Sequence, residues 1–506
     1  MIESIEAFWP EDEDALKRFL ELRAAGEQID DEAAVRINTF PLTQGGLAHP
    51  GGVANVSYRS PYGPASLQEH CRAQIMQHYL AFLDGRSRFG LSESRPLPSY
   101  REPPGNHLAA IMRDGDLHQR VDEMTMSAFK LHFVVDNTQP PNLSVALTPQ
   151  PPPPGSHDSM CEAAISYRAN ATPIEEFSDG VKVYCGLVSA VQSLPHTVLL
   201  IDEPEAFLHP TLVRRLGADL SKIAAQRRSN LIVSTHSSDF LMGCVEEVPD
   251  AGIVRLTYEN STSTARILDG SSVKNLVSQP LLRSSHALSA LFGRAAVICE
   301  GDSDRAFYSE INRRLLAHGR EGTADTIFLN AQNWQTIPDI AAPLRRLGIP
   351  AAIIVDLDAL TEDDQWGRFF AMLGLPESDL VTLHRRRARC GDLLRALDRA
   401  DHRGNAKRQC KISGLANLSS DTRLEVTKFL EDLGSFGIFP VPEGELENWL
   451  PQLRVTSKKT WVTEIVKRLG AKGDPVYVEP QEGDVWAFVE RLARWTNDSL
   501  RAGIPH

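Results

Sequence analysis

The hydrophobic and polar positions of this chain fall into two textures. Residues 1–30 carry spaced apolar positions among acids and predict an acidic amphipathic helix. Residues 34–150 mix short strand-like runs, "AAVRINTF" and "FKLHFVVD", with a helical pattern around "SLQEHCRAQIMQHYLAFL". "PQPPPPGS", Pro149 to Ser156, reads as a loop, because proline has no amide proton to give a central strand. From about residue 160 helical periods alternate with continuous apolar runs such as "HTVLLIDEP" and "SNLIVSTHS". Such runs suit parallel strands covered on both faces, and the alternation predicts α/β architecture. A second strand–helix series opens at Ala295 with "RAAVICE", a helix to about Ala317, "TIFLNA", a helix through "IPDIAAPLRRLG", and "AAIIVDLD". We place a domain boundary near 275–292, between parts spanning 1–280 and 290–506.

Length and composition narrow the class. At 506 residues the chain has room for two to four domains, and 42% hydrophobic with 24% charged residues suits a globular protein. No apolar run reaches the roughly 18 residues of a membrane span. The acidic N-terminus lacks the basic start of a secretory signal. Seven cysteines with no CxxC pair point to a reducing cytoplasm and away from structural zinc. A net charge of −13 restricts any nucleic-acid site to a local basic patch.

Two groups of residues carry candidate chemistry. In "VLLIDEPEAFLHP" a strand delivers Asp202 and Glu203 at its carboxyl end, where α/β sheets bind ligands. In nucleotide hydrolases such acids hold magnesium and polarise water. About 33 residues after Glu203, "LIVSTHSSDF" ends a second strand in Thr235 and His236. Upstream, Ser178 and Gly180 precede a helix whose amides can bind an anion. The ordered set resembles the ATP-binding-cassette ATPases, most closely the AAA_21-like subgroup related to repair and phage-defence proteins. That resemblance implies Asp202 as the magnesium acid, Glu203 as the hydrolytic base and His236 as the γ-phosphate sensor. It implies that Ser178 and Gly180 face ATP on a second subunit, and that "YLAFLDGRSRFGL" lies near bound nucleotide. The phosphate-cradling G-x-x-x-x-G-K-[ST] is missing: the chain has no Gly-Lys dipeptide, and "LTQGGLAHPGGVAN" reads as a loop. The chain is therefore expected to begin just downstream of that motif, or to have lost it. ATP binding and hydrolysis by these residues alone are open.

The second group begins in "AVICEGDSDRAF". Glu300 ends an apolar run, and Asp304 follows one helical turn later. Asp356 and Asp358 alternate along what reads as a strand, so they share a side. Two neighbouring strand ends would gather four carboxylates, a set of hard oxygen ligands for Mg²⁺ or Mn²⁺. Asp302 is expected to be solvated. E-G-x-x-[DE] after one strand and D-x-D after another, roughly 50 residues on, resembles the Toprim domain of topoisomerases, primases and OLD-type (overcoming lysogenisation defect) nucleases. That family implies a further acid, Glu445 or Glu447 with Glu447 favoured, and a lysine, Lys458 or Lys459. Its usual serine before D-x-D is replaced by Ile354. The segment "LHRRRARCGDLLRALDRADHRGNAKRQCK" holds Arg385, Arg386, Arg387, Arg389, Arg395, Arg399, Arg403, Lys407, Arg408 and Lys411, candidates for a phosphate backbone.

The resemblances imply an ABC-type α/β ATPase domain, incomplete at its N-terminus, followed by a Rossmann-like Toprim domain with a parallel sheet. They imply an OLD-type, ATP-regulated, metal-dependent endonuclease in anti-phage defence, acting as a dimer or higher homo-oligomer on DNA. Alternatives are an ATPase-sensor and Toprim toxin cutting RNA such as tRNA, a subunit needing a companion protein, a structural subunit, and a topoisomerase- or primase-like enzyme. For the last, Tyr308 reads as a helix-face residue.

Overall fold

A computed structural model describes residues 34–39, 52–57 and most of 80–498, with gaps at 86, 102–103, 156–158, 194–197, 260, 279–286, 400–405 and 456. The expected helix over 1–30 lies outside the described residues. Contacts divide the chain into two compact units, Met1–Val248 and Pro249–His506. Both are mixed α/β with parallel strands.

In the first unit β1 (Ala34–Thr39) pairs antiparallel with β2 (Gly52–Ser57). The end of the glycine-rich stretch read as a loop is thus strand β2. β3 (Leu80–Leu83) corrects a second expectation: "LAFL" ends no helix but pairs in parallel with a later strand. The rest of that helical pattern lies outside the described residues. Next come helix α1 (Gly115–Phe129) and the antiparallel pair β4 (His132–Asp136) and β5 (Asn142–Thr148). The parallel layer then forms from α2 (Asp179–Ser193), β6 (Val198–Asp202), α3 (Pro210–Arg227), β7 (Asn230–Ser234) and α4 (Ser238–Glu247). The sheet order is β3-β6-β7. Alternate residues such as Leu199, Ile201 and Ala81 enter the core. The row Phe82, Leu200 and Ile232 stays partly open, with Phe82 50% and Ile232 46% exposed. Cover on both faces was expected, and among the described residues this sheet has it on one. α3 and α4 cross closely because Gly217 and Gly243 lack side chains; a Cβ on Gly243 would stand 1.9 Å from the Arg214 carbonyl oxygen.

The second unit opens with the hairpin β8 (Ile253–Glu259) and β9 (Thr262–Leu268). Then follow β10 (Ala295–Cys299), α5 (Asp302–Ala317), β11 (Thr326–Asn330), α6 (Ile337–Arg346) and β12 (Ala351–Val355). The chain continues through α7 (Glu377–Arg399), α8 (Ala406–Ser413), α9 (Ser420–Ser435), β13 (Ile438–Pro440), α10 (Trp461–Leu469) and α11 (Asp484–Asn497). The sheet order is β11-β10-β12-β13, all parallel. Every residue of β10 and β12 is buried, which explains why "AAVIC" and "AAIIV" carry no polar position. Phe307, Tyr308, Trp461, Trp486 and Phe488 pack on one side of this sheet. Arg314 on α5 is buried and donates to the carbonyls of Leu469 and Val478, both at 3.0 Å, and pairs with Glu310. These bonds fix the helix that carries Asp304.

Candidate functional site

β10 and β12 are neighbours, so their carboxyl ends bring two acidic segments together. Glu300 directly follows β10, and its Oε1 accepts the Asp356 amide at 2.8 Å. Gly301 caps α5, which places Asp304 in the first helical turn. Asp302 is exposed and pairs with Arg305 at 2.8 Å, outside the cluster. Asp356 and Asp358 do not alternate on a strand as expected: β12 ends at Val355, and Asp356 precedes the 3₁₀ turn Leu357–Thr361. They meet through a cation instead. Lys411 Nζ lies 2.9 Å from Asp356 Oδ2 and 3.5 Å from Asp358 Oδ2. Lys458 Nζ lies 2.6 Å from Glu445 Oε2 and 3.9 Å from Glu447 Oε1. Both glutamates border the cluster, since the Glu445 charge bears on Asp356 and that of Glu447 on Asp304. Lys459 is exposed and joins none of these pairs.

These acids are largely covered, and the surrounding protein displaces most of their hydration. Burial, and then the Asp356 charge, pushes Glu300 up to about 8. The same two causes push Asp304 up to about 7. Burial also raises Asp356 and Glu447. Lys411 pulls Asp356 the other way but offsets only part of the effect. Burial opposes the Lys411 charge too, and the attraction of Asp356, Asp358 and Glu300 outweighs it, so the ammonium stays charged above its ordinary range.

Six acids with two lysines form an oxygen donor set with excess negative charge, which suits a hard divalent cation. Among the described residues, however, no three His, Cys, Asp or Glu side chains are arranged to hold a metal together. Lys411 draws Asp356 and Asp358 onto itself, and Glu300 is turned to a backbone amide. By composition the residues fit a divalent ion; Ile354, buried in β12, adds no donor. Tyr308 is fully buried, accepts the Trp449 indole N–H at 2.9 Å, and is held protonated by burial. It is not placed to act as a nucleophile.

The acids of the first unit stand in another setting. Asp202 ends β6 and accepts the Ser234 hydroxyl. Glu203 has a left-handed backbone, φ 44°, and its side chain lies 3.1 Å from His236 Nε2. Glu205 Oε1 accepts both the Thr235 hydroxyl and the His236 amide at 2.7 Å, tying the two strand ends together. Ser178 is exposed at the start of α2, and Gly180 faces the Phe207 carbonyl, 3.1 Å from an added Cβ. One residue went unassigned by sequence reasoning. Arg88, from "DGRSRFGL", is buried and donates to the main-chain carbonyls of Glu203 and Asp202. The resemblance sets its motif near bound nucleotide, but no spacing rule marks an arginine that grips backbone.

Among its described side chains, most of the basic segment is ion-paired within the unit. Arg387 is buried and bonded to the Glu362 carbonyl at 3.1 Å and to Asp363, so it cannot meet a phosphate backbone. Arg386 pairs with Asp432 and Arg389 with Glu425, linking α7 to α9. Arg395 pairs with Asp363 and Asp392. Lys411 belongs to the acidic cluster. Arg385 is exposed. Arg403 and the side chains of Arg399, Lys407 and Arg408 lie outside the described residues.

Comparison with known proteins bears on both halves. Residues 167–243 match the AAA_21 family of AAA domains. Residues 291–358 match the TOPRIM domain of overcoming lysogenization defect protein-like sequences. The chain thus carries an AAA_21 ATPase domain followed by an OLD-like TOPRIM domain, the OLD architecture that the motifs resemble. The Old nuclease of Escherichia phage P2 is 23% identical over 236 residues, which is 44% of this chain. The match spans little more than a third of that relative, 36% of its length. Among solved structures, an SMC head bound to the C-winged helix domain of ScpA overlaps 44% of this chain and 64% of its own, at 13% identity and a TM-score of 0.29. An SMC ATPase structure overlaps 32% of this chain and 91% of its own, at 15% identity and a TM-score of 0.23.

Proposed function

We propose that this protein is a metal-dependent endonuclease of the OLD type, with DNA as its substrate, and that its ATPase-type half regulates it in anti-phage defence. One observation carries the chemistry: Glu300, Asp304, Asp356 and Asp358 cluster at the ends of two adjacent parallel strands, and Lys411 reaches both Asp356 and Asp358. Glu300, Asp304, Asp356 and Asp358 would hold Mg²⁺ or Mn²⁺, with Glu445 and Glu447 at the border. A divalent ion bound there supplies an activated water and neutralises charge on a phosphodiester. Lys458, with its side chain 65% exposed, remains reachable at the edge of the cluster and would hold a phosphate oxygen.

The first unit supports a regulatory reading. Asp202 would hold magnesium, Glu203 would polarise water and His236 would contact the γ-phosphate; the strand end at Asp202 and the 3.1 Å contact of Glu203 with His236 support it. In this reading Ser178 and Gly180 act on nucleotide across a homodimer. No described helix is long and apolar enough to cross a membrane.

The test is cleavage of supercoiled plasmid and of total tRNA in Mn²⁺ or Mg²⁺, with EDTA as control and with or without ATP. Metal-dependent nicking of plasmid, lost in a Glu300→Ala, Asp356→Ala double variant, is expected. Cleavage of tRNA alone would replace the substrate by RNA. Cleavage unchanged in the double variant would remove the site.

A further inference from the structure

We infer that Lys411 is a tethered stand-in cation: it holds Asp356 and Asp358 together without metal, and a divalent ion entering the site must displace it. The inference deepens the proposed metal site and rests on that reading. Three observations support it.

First, Lys411 reaches both acids of the D-x-D pair, at 2.9 and 3.5 Å, and so takes the place between them that a bridging cation would need. One ammonium and one divalent ion cannot share it, because like charges repel at that range.

Second, the lysine backbone is fixed by packing, while its side chain is partly exposed and meets the aspartates through its ammonium. The Asn448 amide donates to the carbonyls of Lys411 and Glu443. Gly444, at φ 103°, lets the loop lie against the end of α8; a Cβ there would stand 2.3 Å from the Cys410 carbonyl oxygen and 2.6 Å from that of Lys411. The Gly444 carbonyl in turn accepts the Leu357 amide at 2.9 Å, between the two aspartates. The loop bearing Glu445 and Glu447, the D-x-D turn and the start of Lys411 thus form one braced unit. The Lys411 side chain is 34% exposed, and its flexible four-carbon stem can swing to solvent with no backbone change.

Third, the exchange is electrostatically favourable in one direction. Among the described residues the charges of Asp356 and Asp358 together exceed the single charge of Lys411, so a doubly charged ion compensates the pair better. The lysine therefore lowers apparent metal affinity by the fraction of time it occupies the gap, and its removal abolishes that competition. Occupancy of nine-tenths would correspond to about a tenfold effect.

The experiment is Mn²⁺ binding to the full chain, read from the electron paramagnetic resonance of free Mn²⁺. Wild type, Lys411→Met, Lys411→Arg and Asp356→Asn are compared at one pH, with thermal melts in EDTA and in Mn²⁺. Lys411→Met is expected to bind Mn²⁺ about tenfold more tightly than wild type. It should melt lower in EDTA and gain more from Mn²⁺. Lys411→Arg keeps the charge and should bind no more tightly than wild type; it also serves if the methionine variant fails to fold. Binding by wild type that is unchanged or weakened in Lys411→Met would overturn the displacement while leaving the metal site standing. No Mn²⁺ binding by any variant would overturn the metal site itself, and the inference with it.

Discussion

At the end of β6, Asp202 and Glu203 meet solvent and their own chain's donors. The Glu203 side chain is 48% exposed, its partner His236 is 84% exposed, and Ser234 and Arg88 hold the rest of the turn. At the ends of β10 and β12, the Asp356 and Asp358 side chains are 17% and 15% exposed and share one lysine. Both segments read alike in sequence: an apolar run, then acids. Solvation separates them. An acid that keeps its water, or finds a neutral donor, needs no further cation. Acids crowded out of water beside each other are costly, and they persist where something other than stability retains them.

The sharpest break of this comparison is Asp356→Asn. It removes charge from the centre of the crowded site and leaves the exposed one untouched. Metal-dependent DNA cleavage is expected to fall about a thousandfold, about 4 kcal/mol of lost transition-state stabilisation. Circular dichroism and melting should show a folded protein. Cleavage within threefold of wild type would show that the crowding does not serve catalysis.

A smaller effect, on stability, is expected at the other strand end. Arg88→Ala strips the donors from two main-chain carbonyls and leaves the left-handed Glu203 turn without its brace. Urea unfolding of the first unit should show a loss of about 2 to 3 kcal/mol, as expected when buried polar groups lose their partner. A change below about 0.5 kcal/mol, typical of surface substitutions, would mean that the turn stands without the arginine.

The crowded end should also respond to pH. Glu300 is raised to about 8 and Asp304 to about 7 in the folded chain, against ordinary values of 4.5 and 3.8. Raised carboxyl groups bind protons in the folded state that the unfolded state releases. Their contribution to stability is therefore complete below about pH 4 and is lost as pH rises through 7 and 8. In EDTA the melting temperature should fall between pH 5 and pH 8, and Glu300→Gln should flatten the fall. Mn²⁺ should reverse it by favouring the deprotonated acids. A wild-type profile as flat as that of Glu300→Gln would show that the acids are well solvated.

How much of this was legible in the sequence follows from the same physics. The five-residue cores of β10 and β12 and the span of α5 were legible, because full burial on both faces leaves no polar residue to blur the period. β3 was misread, since "LAFL" is short and follows a long helical pattern; apolar runs of four residues suit helix and strand alike. The four acids were legible as a group because their spacing is local to two strand ends. Lys411 was not. It lies 53 residues beyond Asp358, within a basic segment that suggested nucleic acid, and only the packing of α8 against the Gly444 loop brings it to the acids. The ion pairs of Arg386 and Arg389 on α7 were hidden for a related reason: their acidic partners, Asp432 and Glu425, sit on another helix. A charge run shows its sign in sequence, while its partners appear only on folding.

The smallest expected effect tests the exposed side of the comparison. Glu203 is half exposed, and its contact with His236 is a surface pair. Surface pairs contribute little, since water and salt screen them and two mobile side chains must be ordered. Glu203→Gln should therefore leave stability within about 0.5 kcal/mol of wild type. Metal-dependent cleavage without ATP should be equal to wild type, because the residue lies in the other compact unit. Any effect should be confined to reactions containing ATP. A Glu203→Gln chain that melts several degrees away from wild type would show that Glu203 is structural, and the contrast between a solvated and a crowded acid pair would then lose one of its two terms.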